Sequence, residues 1–440
     1  MGTIILIRLY FCVVKYSHNR NLQRLKLMTT LFDTTFGTLR VLHNPQSALR
    51  DTPYGQPASV VISRQRFQVA MDEISKWPDY EATPLANLAG LAGKTGIASL
   101  YYKDEGVRFN LDSFKALGGA YATERLLTSI IAEQSAATTP NVSDLIDGRY
   151  KEITSKVTVA CATDGNHGRS VAWGAQMFGC KCVIYIHADV SEGRKQAIEA
   201  YGAEICRVTG NYDDSIKEIA VAAEENGWFI VSDTSYEGYL DVPRDVMQGY
   251  TVMVEEALNQ LPDGVLPTHV FIQGGVGGLA GAVCGHLWET LGAQRPRFVV
   301  VEPERADCLY ESALHEKPMP ATGDLETVMA GLACGEVSLI AWDILSTGAD
   351  DFVTILDAMV GPTMCQLADG VGGDMPIVAG ESAVAGLAVV LAAGEDKALA
   401  DALGLGPASR VLIFGTEGAS DPEIYQQLVG RSAEDVRSAS

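Results

Sequence analysis

A chain of 440 residues with a formal charge of −22, 47% hydrophobic residues and 44 glycines has material for at least two domains and a large α/β core. The acidic balance argues against nucleic acid and anionic membrane surfaces as partners. The nine cysteines show no zinc-type spacing.

Residues 1–30 stand apart. Arg8, Lys15, Arg20, Arg24 and Lys26 all precede the first acid, Asp33, and the apolar run Ile4–Val14 is broken by Arg8 and too short to cross a bilayer. No small-residue cleavage site marks a secretory signal. We expect a basic extension upstream of a natural start at Met28, carrying no chemistry, with an organelle-targeting peptide as the alternative.

Residues 31–95 read as loop-rich, with a helix over Ser63–Lys76 and a turn at Tyr80–Pro84. Ala98–Lys103 predicts a short strand, Tyr121–Glu133 a helix and 135–149 a polar loop. Strands at Lys156–Thr163, Cys182–His187, Ala203–Val208 and Trp228–Asp233 then alternate with helices at His167–Phe178, Glu192–Tyr201 and Tyr212–Asn226. That alternation predicts βαβ units and a parallel sheet, a small open-sheet domain over 120–240. Cys180 and Cys182 sit two apart in a strand-like run, so they point to one face of a sheet and read as core thiols.

The pattern resumes with helices at Gly249–Leu261 and Leu279–Leu291 and strands at His269–Gln273, Phe298–Glu302 and Phe352–Leu356. Helices at Asp357–Ala368 and Ser382–Ala393, a strand at Arg410–Gly415 and a helix after Pro422 close it. We expect 241–440, joined by 31–119, to build a larger domain. Cys308 and Cys334 are a conceivable pair, which a reducing compartment disfavours.

One lysine carries the first chemical signal. Lys115 lies in RFNLDSFKALGGAYA (residues 108–122), between Phe114 and Ala116-Leu117 and just before Gly118-Gly119. A desolvated lysine has a lowered pKa and forms a Schiff base with an aldehyde. A phosphate-bearing aldehyde would need a cradle, and Gly274, Gly275, Val276, Gly277 and Gly278 supply one between a strand and a helix N-terminus. The same stretch fits a dinucleotide fingerprint, with Glu302 placed as a ribose-binding acid. A nicotinamide oxidoreductase is therefore a rival reading, one that leaves Lys115 unexplained.

Three further turns follow strands. Ala162-Thr-Asp-Gly-Asn-His-Gly-Arg169 places Asp164 and Asn166 at a strand's carboxyl end, where open α/β sheets hold ligands. The aspartate can move a proton and the asparagine amide can donate to a ring hydroxyl, although Asn166 also suits a helix cap. Asp233 ends the small domain's last strand, beside aromatic residues and Glu237, and suggests a cationic substrate end. Thr416, in FGTEGAS (414–420), could meet a ring nitrogen. Glu381 is either near such a ring or a helix-start acid.

Taken together, RFNLDSFKALGGAYA, ATDGNHGRSVAWGAQ, VSDTSYEGY, IQGGVGGLAG, GLACGE and FGTEGAS, in this order, resemble the fold type II pyridoxal-phosphate enzymes, and within them the diaminopropionate ammonia-lyases. The resemblance covers most of residues 30–430. It implies two open, mostly parallel twisted sheets flanked by helices, with the active site in the cleft between domains. It implies pyridoxal 5'-phosphate held covalently by Lys115 beside Phe114, its phosphate on Gly274–Gly278, its ring hydroxyl on Asn166 and its ring nitrogen facing Thr416. The implied reaction removes both amino groups of D- or L-2,3-diaminopropionate to give pyruvate and ammonia, and no metal is called for. Lys115 is expected as base for the L isomer and Asp164 for the D isomer, with Asp233 assisting. A cytoplasmic homodimer acting on a small amino acid is the expected state. A serine or threonine dehydratase-like lyase, the oxidoreductase and a non-catalytic amino-acid-binding regulator are the alternatives.

Overall fold

The computed structural model describes residues 29–135, 140–163, 165–188, 190–210 and 212–439. Asp164 therefore lies outside the described residues, as does nearly all of the basic extension.

The strands are β1 (Thr29–Thr34), β2 (Gly37–His43), β3 (Leu85–Asn87), β4 (Ser99–Asp104), β5 (Thr158–Ala162), β6 (Lys181–Ile186), β7 (Glu204–Arg207) and β8 (Phe229–Ile230). They continue with β9 (His269–Gln273), β10 (Arg297–Pro303), β11 (Asp351–Ile355) and β12 (Arg410–Gly415). Two sheets result. The larger runs β1-β2-β11-β10-β9-β12-β4-β3 and the smaller β7-β6-β5-β8. The smaller is parallel throughout, as is the centre of the larger from β11 to β4.

The central strands are built for burial on both faces. His269-Val-Phe-Ile-Gln273 and Asp351-Phe-Val-Thr-Ile355 are buried at every position, the continuous run that a helix-covered parallel strand requires. Helices used below are α1 (Arg64–Ile74), α2 (Ala116–Ser135), α3 (Asn166–Phe178), α4 (Glu192–Glu199), α5 (Asp241–Gln260), α6 (Gly278–Leu291), α7 (Cys308–His315) and α8 (Lys397–Leu403). Helix α5 is the hub. Val246, Met247, Tyr250, Met253 and Val254 are buried along it. It also approaches α2 so closely that a Cβ on Gly118 would lie 2.5 Å from the Tyr250 ring.

The differences from the sequence reading lie at edges and in short elements. The β1–β2 hairpin falls inside the stretch read as loop, and it is fixed by antiparallel pairing of β2 with β11. Helix α2 begins at Ala116, directly after Lys115. The 135–149 loop contains a short helix, Val142–Ile146, capped by Asn141. Helices α7 and Leu339–Gly348 were missed. Among the described residues no helix is long and apolar enough to cross a membrane, and no cluster of potential metal ligands occurs.

Candidate active site

The segment that delivers Lys115 is strained and heavily anchored. Phe109, Asn110 and Asp112 all have φ between 51° and 57°, the left-handed region that costs a non-glycine residue about 1–3 kcal/mol. Buried Arg108 holds the start of the segment. Its guanidinium donates to Glu105 at 2.8 and 2.9 Å, to Glu256 of α5 at 2.7 and 2.9 Å, and to Thr83 Oγ1 at 3.1 Å. Buried Lys103 joins Glu256 at 2.8 Å, so two cations meet two carboxylates. At the other end Phe114 N donates to Thr416 O at 3.0 Å, and Ser170 Oγ donates to Lys115 O at 2.6 Å.

Lys115 Nζ is hydrogen-bonded to Asp233 Oδ2, with the two side chains 22% and 17% exposed. Burial opposes the lysine's charge, but the Asp233 carboxylate outweighs it and holds the amine above its ordinary pKa. The reverse holds for Asp233. Burial pushes its carboxyl up, while the charges of Lys115 and His167 and the lysine's hydrogen bond pull it below the usual carboxylate range. The expected lowered lysine pKa is thus not what the free amine shows: the aspartate wins over desolvation. Phe114 flanks the pair, its ring centroid 5.5 Å from Nζ and 4.7 Å from the Tyr250 ring.

Asp233 lies past the short strand β8. The Tyr239 hydroxyl ties this stretch back, donating to Ile230 O at 2.8 Å and accepting from Ser232 N at 3.0 Å. His167 Nε2 donates to Val231 O at 2.8 Å, and its Nδ1 is 3.9 Å from Asp233. A carbonyl only accepts, so Nε2 carries the proton. Glu237 is exposed.

The glycine loop faces this pair. A Cβ on Gly278 would lie 3.6 Å from Asp233 O. Gly275 and Gly277 have φ of 60° and 97°, which turns the loop onto the N-terminus of α6. Among the described residues the buried N–H groups of Gly275, Gly278 and Leu279, and that of Val276, donate to no acceptor. Gly274 N is used by Val301 O and Gly277 N by Gly274 O. Unpaired buried donors at a helix N-terminus are what a phosphate group satisfies, so the residues present fit the cofactor.

Contacts carry the site onward in a ring. Gly275 neighbours Gly331 and Cys334, and Gly331 N donates to Ser382 Oγ at 3.0 Å. Ser382 N donates to Glu417 Oε1 at 3.0 Å, and Asn166 Nδ2 donates to Glu417 Oε2 at 2.7 Å. Asn166 starts α3 of the small sheet, so this bond joins the two sheets. Arg194 of α4 makes the same crossing, 3.5 Å from Glu381 and 3.4 Å from Asp421. Burial and the neighbouring Glu417 charge push Glu381 up to about 8. Thr416 Oγ1 accepts from Gln273 Nε2 at 3.2 Å, and its own hydrogen has no acceptor among the described residues. Glu417 and Arg194 were not singled out from sequence. The available signal was a second acid beside Thr416 in a glycine-flanked turn.

Glu302, the acid on which a dinucleotide site would depend, is turned away. Its carboxylate accepts from Leu309 N at 3.0 Å and Tyr310 N at 2.7 Å, and so caps α7. Both oxygens serve the helix start, which removes the ribose partner that the oxidoreductase reading needs.

A lysine paired with an aspartate, a glycine loop with unpaired backbone donors at a helix N-terminus and two open sheets are the features of a fold type II pyridoxal-phosphate enzyme. Residues 76–416 match the family described as pyridoxal-phosphate dependent enzyme. The chain is 38% identical over 375 residues to diaminopropionate ammonia-lyase of Escherichia coli strain K12, covering 84% of this chain and 93% of that one. It is 26% identical over 273 residues to a probable D-serine dehydratase of Carboxydothermus hydrogenoformans, covering 58% and 62%. The crystal structure of holo diaminopropionate ammonia lyase from Escherichia coli superimposes with a TM-score of 0.81 at 35% identity, covering 91% of this chain and 98% of that one. A further structure of that enzyme, with an aminoacrylate-PLP azomethine intermediate, gives 0.79 at 34% identity, covering 91% and 98%. The chain belongs to the pyridoxal-phosphate dependent enzyme family, among the homologues of diaminopropionate ammonia-lyase.

Proposed function

We propose that this chain converts 2,3-diaminopropionate and water to pyruvate and two molecules of ammonia. One observation carries the choice of substrate: the Asp233 carboxylate lies directly against Lys115 Nζ. Once that amine is committed to the cofactor, the carboxylate requires another cation, and a β-ammonium provides it. Serine has only a neutral hydroxyl to offer there.

Pyridoxal phosphate, when bound, supplies an electron sink for the charge left at Cα. The rest falls to the chain. Gly275–Gly278 and the N-terminus of α6 would hold the cofactor's phosphate, Asn166, beside Glu417, would serve its ring hydroxyl, and the Thr416 hydroxyl would serve its ring nitrogen without imposing a charge. We assign Lys115 as the base for the L isomer and Asp164 as the base for the D isomer, with Asp233 assisting. Asp233 holds the β-amino group protonated, because a neutral amine leaves poorly. The assignment of these roles rests on the resemblance and on the positions of Lys115, Asp233, Asn166 and the glycine loop.

Purified enzyme should release ammonia and pyruvate in a two-to-one ratio from both isomers, with serine a much slower substrate. Faster turnover of serine, with one ammonia per pyruvate, would make this a dehydratase. A cytoplasmic homodimer belongs to the same proposal. It rests on the family resemblance and is tested by sedimentation of the holoenzyme and by fractionation of cells.

A further inference from the structure

The active site gathers at the carboxyl ends of the parallel strands in the large sheet. The opposite edge, where those strands begin, is basic. His269 opens β9, Arg297 opens β10 and Arg410 opens β12. These strands are parallel neighbours, so their first residues lie side by side. Arg50 and Arg295 join them around a cavity of about 410 Å³, within the usual range of small-molecule sites, about 300–1,000 Å³.

Only half of the arginine charge is neutralised. Arg50 pairs with Asp350 at 2.7 Å, and Arg297 holds Asp351 through two nitrogens at 2.6 and 3.0 Å. Among the described residues neither Arg295 nor Arg410 has a carboxylate in ion-pair range. Arg295 is 7% exposed and donates to four backbone carbonyls, yet its Nε has no partner. Arg410 spends Nε on Leu266 O at 2.7 Å, and its two terminal amino groups donate to nothing among the described residues. Burial and the charge of Arg50 pull the Arg295 pKa down. Burial and the charge of Arg297 take His269 down to about 4. Gly404, which ends α8 at φ +71°, keeps the approach open, since a Cβ there would lie 2.8 Å from Arg297 Nη1.

On a chain of net charge −22, two guanidinium groups with no carboxylate in ion-pair range, one of them buried over the Trp288 ring, leave positive charge beside the cavity that an anion would balance. We propose that this cavity binds a small phosphorylated metabolite at a site separate from catalysis. A phosphate monoester carries a charge of about −1.5 to −2 at neutral pH and three acceptor oxygens, which the two free terminal amino groups of Arg410 can meet, while Arg295, its terminal amino groups spent on carbonyls, adds charge alone.

The test is calorimetry on the holoenzyme, whose active-site phosphate cradle is already filled, at low salt with inorganic phosphate, AMP and citrate as separate probes. One site per chain for phosphate or AMP, weakened at least about tenfold in Arg410→Gln and by less in Arg410→Lys, which keeps the charge but loses the fork, supports the proposal. Tighter binding of AMP than of phosphate assigns the rest of the cavity to the organic part. Arg50→Gln provides a second variant if Arg410→Gln does not fold. No binding, binding unaffected by both variants, or citrate binding better than either phosphate probe overturns the proposal. Turnover of diaminopropionate without added anion should be unchanged in Arg410→Gln.

Discussion

Replacing Asp233 by asparagine isolates what the carboxylate does to Lys115. In the cofactor-free protein the pair sets the lysine's pKa above its ordinary value of 10.5, and only the neutral amine can attack an aldehyde. Two unit charges about 4 Å apart at an effective dielectric of about 20 interact by about 4 kcal/mol, or about three pKa units. Side chains 22% and 17% exposed are partly screened, which leaves roughly two units. Without Asp233 the desolvation of Lys115 acts unopposed, and its pKa falls. The assay is the rate at which apoenzyme gains visible absorbance on mixing with pyridoxal phosphate, followed from pH 6 to 10. In the wild type the rate should still be climbing at the alkaline end. In Asp233→Asn the profile should move down by roughly two pH units, with faster attachment near neutrality. An unmoved profile would refute the assignment of the raised pKa to this carboxylate. Stability should follow the same signs. The Asp233 half of the pair is lost as pH falls through its depressed pKa, and the Lys115 half as pH rises through its raised one.

Three other outcomes are expected. Asp164→Asn should lower kcat/KM for the D isomer by about 10²- to 10⁴-fold and affect the L isomer far less; equal losses would make it a general binding residue. Glu381, with its pKa raised to about 8, is an acid beside the site that ionises near neutrality, and its contribution to stability is lost as pH rises from about 4.5 through that value. Its replacement in Glu381→Gln should therefore remove a change in the kcat/KM profile near pH 8, and an identical profile in the variant would show that Glu381 is silent. Glu256→Gln leaves Arg108 and Lys103 buried against a single carboxylate, Glu105, at a cost of about 3–5 kcal/mol. Its melting temperature should fall by several degrees and its affinity for cofactor with it; a shift within one degree would show that the cluster does not anchor the lysine segment.

The parts of this molecule legible in the sequence are those whose chemistry is local. Alternating strands and helices predicted the small sheet, because β5 to β8 and the helices between them are contiguous in the chain. The glycine loop was legible because its conformation needs glycine at 275 and 277. The N-terminal hairpin was not. Thr29-Thr-Leu-Phe-Asp-Thr34 has little burial of its own, and β2 buries Leu39, Val41 and Leu42 by joining β11, over 300 residues away. The expected direction of the Lys115 pKa failed for the same reason. The apolar neighbours in sequence pointed to desolvation, whereas the dominant group, Asp233, arrives from the far end of another sheet. Glu302 shows the converse, since a spacing that matches a ribose acid is here spent on the start of a helix.

The charges in the site argue for the diamine more strongly than any one residue does. In the cofactor-free protein Lys115 answers Asp233, and Arg194 answers Glu381 and Asp421. Covalent attachment of the lysine leaves Asp233 with no full cation beyond what His167, 3.9 Å away, supplies if it protonates. The His167 proton on Nε2 is already committed to a carbonyl, so charging the ring requires a second proton at Nδ1. A substrate with a carboxylate and two ammonium groups brings one net positive charge and places it where the lysine's charge has been withdrawn. A hydroxy amino acid brings none, and Asp233 would stay desolvated and uncompensated, at a cost of about 1–3 kcal/mol or more for a charged group. That penalty is one of discrimination and not of catalysis. It follows that Asp233→Asn should narrow the preference for diaminopropionate over serine, mainly by weakening the diamine and not by creating a site for the hydroxyl.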